Sequence, residues 1–416
     1  MEKRVDERIK NLVVQYCDEI KNRIENIHIA CFQGMDKPLF LISDNYPGVW
    51  LEHVYDSVFY AKMYPNRAEI AVNTIDTFLS YQLPSGQFPC YIWNADKLPL
   101  PKEKLIGYGH IQECVSFAKM CLETYGITGD LNLLQRCFSA CEKWAAWLTE
   151  NRITRGQGLV EQFVGYDTGH DNSGRHDGFA HPYDHKENGA ILNAAALPLS
   201  DGVTPTIAVD MNCNFYGTHR ALSKMAEILG DKEKSRTYAA SAKAVKERLF
   251  ALCLDKEDAF FYDVDRNGEK RKCCSSTIFH LFLEGVLDKD EDEALIKEMY
   301  VRYLKNPKEF WTEYPFPAVS FSEQSRNLHK EPNSWGYYSQ ALIALRCTLW
   351  MDKYGFEKDF DTLLEKWLCK WTEHYDKLKF AQELDPETGD FTECSEWYSS
   401  CMLLYLYAAK RLGYTA

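Results

Sequence analysis

The chain of 416 residues contains no run of eighteen apolar residues, so it has no segment able to cross a bilayer as a helix. Basic residues are in the minority, 48 Lys and Arg against 61 Asp and Glu. The resulting net charge of -13 excludes an ordinary binder of nucleic-acid phosphate. The fifteen cysteines are odd in number and show no CxxC pair at zinc spacing. The first residues, Met1 to Arg8, are charged and lead into an amphipathic pattern instead of an apolar export signal. Together these absences predict a cytoplasmic protein with reduced thiols, many of them acting as small buried hydrophobes.

What is present is helical periodicity. Apolar residues recur at three and four, as in Leu131, Leu134, Phe138, Cys141, Trp144, Ala145 and Leu148. With glycine, proline and aspartate as stops, the pattern predicts helices near 4–28, 50–63, 66–82, 108–126, 130–150, 206–230, 231–253, 274–285, 289–304, 333–354, 356–376 and 395–413. Short turns such as Thr128-Gly129-Asp130 alternate with long loops near 83–107, 151–205, 255–273, 312–332 and 377–394. Six helical hairpins follow. No repeat sequence recurs, which disfavours an open solenoid and favours closure into an (α/α)6 toroid, an all-α fold with minor β structure in its loops. One strand is expected at 259–264, ended by the Asn267-Gly268 turn. The whole chain, 1–416, reads as a single domain whose long loops share one end.

Two of those loops hold acids in unusual company. Gly165 to Asp177 carries Asp167, Asp171, Asp177, His170, His176 and Arg175 without helical period, and Gln382 to Glu393 carries a second acidic run. Carboxylates so far apart in sequence meet only across a shared mouth. A pair across a cleft is what acetal hydrolysis requires, one acid protonating the leaving oxygen while the other activates water or attacks. An apolar surround, with Tyr166, Trp335 and Trp397 as candidates, would keep the acid protonated. The competing reading is plain: acidic loops are ordinarily solvated, and Asp385 to Asp390 has the composition of a common turn.

Several segments resemble, in order along the chain, the (α/α)6 glycoside hydrolases that include processing α-glucosidase, trehalases and mannosylglycerate hydrolase, the family 63 type. Gly169-His170-Asp171-Asn172-Ser173-Gly174-Arg175 is similar to their Ser-Gly-Trp-Asp-x-Ser-x-Arg, whose aspartate is the general acid, which implies Asp171. Glu383-Leu384-Asp385-Pro386-Glu387-Thr388-Gly389 resembles Glu-Asn-Tyr-x-Pro-x-Thr-Gly, whose glutamate is the general base, which implies Glu383. Tyr46 to Trp50 followed by Tyr55-Asp56-Ser57 resembles a sugar-contacting Trp-Asp-Ser element. Gln112 falls where the family has Gln-Pro-Pro, and Val209-Asp210-Met211-Asn212 resembles a Val-Asp-Leu-Asn helix start. Tyr314 to Ser320 leading to Asn333-Ser334-Trp335 resembles the loop that closes on the sugar, and Trp397-Tyr398-Ser399-Ser400 stands at Phe-Ser-Trp-Ser.

The resemblance implies an inverting glycosidase acting on an α-linked glucoside or mannoside of disaccharide or glycosyl-glycerate size, without a cofactor or catalytic metal. Its sugar contacts would be Asp56, Gln112 and Trp335, with Trp50 and Trp397 as cleft walls and Tyr166 and His170 beside the acid. Arg175 is expected either to anchor a hydroxyl or anionic aglycone or to pair with Asp177 or Asp167. His170, Asp167, Gly174 and Leu384-Asp385 depart from the family pattern and flank the reaction centre. Against a metal among His170, His176, His181 and His185 stands their loose spacing, and Glu393 and Glu396 are the reserve bases. Two other classes compete with the glycosidase: a sugar epimerase using His110 and His219, and a helical scaffold for protein binding.

Overall fold

A computed structural model describes residues 7–31, 37–94, 105–179, 204–323, 329–392 and 395–415. Among them are twelve α-helices: α1 (Glu7–Arg23), α2 (Val54–Met63), α3 (Ala68–Ser80), α4 (Phe117–Thr128), α5 (Leu131–Arg152), α6 (Val209–Ile228), α7 (Lys232–Leu252), α8 (Phe279–Leu283), α9 (Glu293–Met299), α10 (Ala341–Arg346), α11 (Glu357–Glu373) and α12 (Ser399–Arg411).

The helices sort into two rings. The even-numbered ones pack on one another, α2 on α4, α4 on α6, α6 on α8 and α10 on α12, and α12 returns to α2 to close the ring. Odd-numbered ones lie outside, α3 against α2, α5 against α4, α7 against α6, and α1 and α11 against α12. Sequence dictates the sorting. Along α6 nearly every residue from Val209 to Ala226 is buried, so it must be enclosed on all sides; along α7 only Ala242, Val245 and Leu249 are. The result is the expected (α/α)6 toroid. Outer helices start at local caps: Asp130 accepts from the N–H groups of Asn132 and Leu133 at α5, and Asp231 from Lys234 at α7.

The loops hold more β structure than expected. Five small sheets occur among the described residues, built from strands of two or three residues that are too short to show a period. The expected strand is there, split into Phe260–Phe261 and Asp263–Val264, the latter pairing with Lys270–Arg271 across the Asn267-Gly268 turn. Gly48–Trp50 pairs with Tyr91–Trp93, and Ser339–Gln340 with Glu383–Leu384.

Four inner helices begin later than the periodicity indicates. Residues 50–53, 108–116, 333–340 and 395–398 are strand, turn or loop instead of first helical turns. The helix expected at 333–354 is reduced to α10 followed by 3-10 turns. Each displaced segment contributes to one cavity.

Candidate active site

Glu52 sits on the 3-10 turn Leu51–His53 that follows the strand Gly48–Trp50, and that turn is pinned by the Leu51 N–H donating to the Cys90 carbonyl. Gln112 enters from the approach to α4, and Gly169 and Asp171 come from the long loop between α5 and α6. Asn333 and Trp335 precede α10, Gln382 precedes the strand Glu383–Leu384, and Tyr398 precedes α12. All of these, with Trp50 and His53, line the same cavity. Its location is the mouth formed where the inner helices begin.

The loop bearing Asp171 is organised by Asp167. Its buried carboxylate pairs with Arg152 at 2.6 Å and accepts from the N–H groups of Ile111, Phe163 and Val164. Its carbonyl accepts from the Gln112 N–H at 2.8 Å. The far side is zipped to the loop before α10: Trp335 N–H donates to the Asp171 carbonyl at 2.9 Å, Asn172 Nδ2 to the Asn333 carbonyl at 3.0 Å, and Ser334 Oγ to the Asn172 carbonyl at 3.1 Å.

Asp171 presents a carboxyl whose Oδ1 is buried and has no hydrogen-bond partner among the described residues. Burial, reinforced by the nearby charge of Glu52, holds this carboxyl well above the ordinary range. Glu52 is itself pushed up to about 7 by burial, against the opposing charge of Arg346. Tyr166 lies within the field of Asp171 and edge-on to His110, with its hydroxyl 3.5 Å from Asn172 Oδ1. His170 is buried behind Trp335, their rings stacked at 4.5 Å. The imidazole thus backs the cavity's aromatic wall without lining the cavity.

Three expected contacts are spent elsewhere. Arg175 is enclosed and forks onto Asp210, at 2.5 and 3.1 Å, and onto Asp263, at 2.8 and 3.0 Å; neither Asp177 nor Asp167 is its partner. Burial would raise the Asp210 carboxyl, but Arg175 outweighs it and holds that group well below the usual carboxylate range. Asp56 accepts from the hydroxyls of Ser399 and Ser400 at 2.5 and 2.7 Å, clasping α2 to the start of α12 where the ring closes. Trp397 packs against Phe380 and under the Arg23 guanidinium, 4.2 Å from its ring centre, while the adjacent Tyr398 takes the place on the cavity wall.

Glu383 is fully buried. Its Oε1 accepts from Asn333 N–H and Thr392 Oγ1 and its Oε2 from Gln340 Nε2, all at 2.8 Å. Its neighbour Gln382 lines the cavity. The family motif places its glutamate four residues before the proline, and four before Pro386 is Gln382. Of the reserve bases, Glu396 accepts from the Lys379 N–H and does not line the cavity, and Glu393 lies outside the described residues.

One group among the described residues, His170, Asp210 and His280, brings three metal-ligating atoms within 4.8 Å of one another. Arg175 already donates to Asp210 Oδ2 and approaches His170 Nδ1 at 3.2 Å, so a guanidinium holds the place a cation would need. His181, Asp184 and His185 lie outside the described residues. His110 meets Gln112 Oε1 at 2.7 Å, and His219 packs between Phe215 and Tyr238; neither of these two histidines of the epimerase alternative lines the cavity, whereas His53 does.

Residues 55–400 match the family model for the mannosylglycerate hydrolase MGH1-like glycoside hydrolase domain. In fold the chain is similar to a GH63 mannosylglycerate hydrolase from Thermus thermophilus, with a TM-score of 0.70 and 17% identity over 94% of this chain and 99% of that one. It is also similar to a neutral trehalase from Saccharomyces cerevisiae, with a TM-score of 0.67 and 15% identity over 96% of this chain and 80% of that one. An uncharacterized protein of Borreliella burgdorferi is 30% identical over 141 residues, which span 33% of this chain and 29% of that relative.

Proposed function

The chain belongs to the MGH1-like glycoside hydrolases, and from that premise we propose that it cleaves an α-linked glucoside or mannoside of disaccharide or glycosyl-glycerate size with inversion, Asp171 serving as the general acid. The observation that carries this reading is the Asp171 carboxyl itself: it lines an aromatic cavity with a buried oxygen that has no partner among the described residues, in surroundings that raise it well above the ordinary carboxyl range. Such a group can hand its proton to a glycosidic oxygen as the bond to the anomeric carbon breaks. Trp50 and Trp335 supply apolar faces for a sugar ring, and Gln112 supplies a polar group at the same wall. Inversion needs a second carboxylate roughly 6.5 to 9.5 Å from the first, with water between them. Glu383, the sequence candidate, stands one hydrogen bond behind the wall at Asn333, whereas Glu52 stands in the wall.

The reaction proceeds without a cofactor, on a small carbohydrate, with the chain 1–416 acting as one catalytic domain in the cytoplasm. The test is incubation with a panel of α-glucosides and α-mannosides, including the glycerate glycosides, followed by NMR of the first-released sugar. A β-anomer is expected. An α-anomer would replace inversion by retention, and epimerised monosaccharide without cleavage would remove the hydrolase reading altogether.

A further inference from the structure

We infer that Glu52, and not Glu383, is the carboxylate that activates water opposite Asp171; the assignment rests on the glycoside hydrolase reading above. Among the described residues lining the cavity, Asp171 and Glu52 are the two carboxylates. Gln382, which stands at the motif's base position, is an amide and cannot take a proton from water. Glu383 has three acceptor sites filled at 2.8 Å, by Asn333, Thr392 and Gln340, and no exposed surface. Glu52 is bound more loosely. Its Oε1 lies 3.2 Å from His53 Nδ1, and its Oε2 has Gln112 Nε2 at 3.4 Å and Cys114 Sγ at 3.5 Å, long contacts that leave an Oε2 lone pair for a water in the cavity.

The backbone leaves room for this carboxyl. Gly169 has φ +75°, and a Cβ built there would lie 2.6 Å from Glu52 Oε2 and collide with Cys114 Sγ. A glycine two residues before the acid therefore allows the loop to approach the Glu52 carboxyl. In the reaction the water oxygen bonds to the anomeric carbon while Glu52 takes a water proton. The glycosidic carbon–oxygen bond breaks, and the leaving oxygen takes the proton of Asp171. Proton exchange with solvent then restores both groups.

The experiment uses the full-length chain, with α-D-glucosyl fluoride and α-D-mannosyl fluoride as probes because fluoride leaves without protonation. Glu52→Ala should lose roughly 10²- to 10⁴-fold in turnover. Azide should restore part of that loss and yield the β-glycosyl azide, since azide attacks without giving up a proton. Glu52→Gln covers a failure of the alanine variant to fold: it should melt like the wild type and lose turnover with KM little changed. Turnover of Glu52→Ala within tenfold of wild type would overturn the assignment, as would azide rescue of Glu383→Ala in its place. A variant that merely shifts the alkaline limb of the pH profile would reduce Glu52 to a neighbour that tunes Asp171, and also overturns it. If the wild type releases fluoride from neither probe, the glycosidase reading fails and takes this assignment with it.

Discussion

The backbone N–H of Trp335 donates to the carbonyl of Asp171 at 2.9 Å, so the proposed acid and the aromatic face beside it are fixed to each other although they lie far apart in the chain. The backbone that carries the Asp171 carboxyl is thus held by a loop that belongs to a different hairpin. Precision of this kind is what proton delivery to a bound oxygen demands.

Replacing Asp171 by Asn should remove that proton while keeping the shape. Cleavage of natural glycosides is expected to fall by roughly 10²- to 10⁴-fold. Substrates with a nitrophenolate or fluoride leaving group should lose much less. Equal losses on both kinds of substrate, measured as kcat/KM, would mean that Asp171 does not act as an acid.

The pH profile carries the same logic. Glu52, pushed up to about 7 by burial, must be ionised to accept a proton, so kcat/KM should rise through that region. Asp171, raised well above the ordinary range by burial and by Glu52, must stay protonated, so activity should fall on the alkaline side. The two limbs report the coupled pair. In Asp171→Asn, assayed with an activated aryl glycoside, the alkaline limb should vanish and the rise associated with Glu52 should remain.

Arg175 is expected to matter for folding more than for binding. Arg175→Met would leave Asp210 and Asp263 as enclosed charges without their cation, a change that ordinarily costs about 3–5 kcal/mol. Urea denaturation should show that loss. A stable variant with a weakened KM would restore Arg175 to the sugar site.

Asp56 gives a stability prediction with a definite sign. Its carboxyl is raised from 3.8 to about 6, chiefly by burial, so the folded state holds this proton more tightly than the unfolded chain. Its contribution is full at pH values below about 4 and is lost as pH rises toward about 6, which amounts to about 3 kcal/mol. Asp56→Asn should therefore flatten the decline in stability across this window, seen as a smaller change in melting temperature over that range.

Gly169→Ala tests the close approach above Glu52. A methyl group at φ +75° and 2.6 Å from the carboxylate oxygen must displace Glu52 or the loop. Turnover should drop by roughly tenfold or more while the melting temperature falls only modestly. Unchanged kinetics would mean that the Gly169 loop does not set the position of the Glu52 carboxyl.

The toroid is legible in the linear chain, because enclosure is written into composition: α6 is buried around nearly its whole circumference and α7 along one stripe. The aperiodic loop marks Asp167, Asp171 and Asp177 alike, and only the resemblance of Gly169 to Arg175 to the family's acid segment singles out Asp171. Periodicity misassigns the segments around Trp50, Gln112, Trp335 and Trp397, extending inner helices backward through residues that leave the helix to form the mouth. Such short segments have too few positions for their period to be read.

Folding alone settles which polar groups face the cavity and which are used up in holding it. Asp56, Arg175 and Glu383 have the residue types of a sugar site, yet each spends its charge on partners distant in the chain: Ser399 and Ser400, Asp210 and Asp263, Asn333 and Gln340. Glu52, which no motif marked, meets His53 at 3.2 Å and keeps only long contacts to Gln112 and Cys114 where it lines the cavity. Local sequence records that a carboxylate is present. Whether it is free to react depends on the donors that folding brings within about 3 Å of it, and those come from distant parts of the chain.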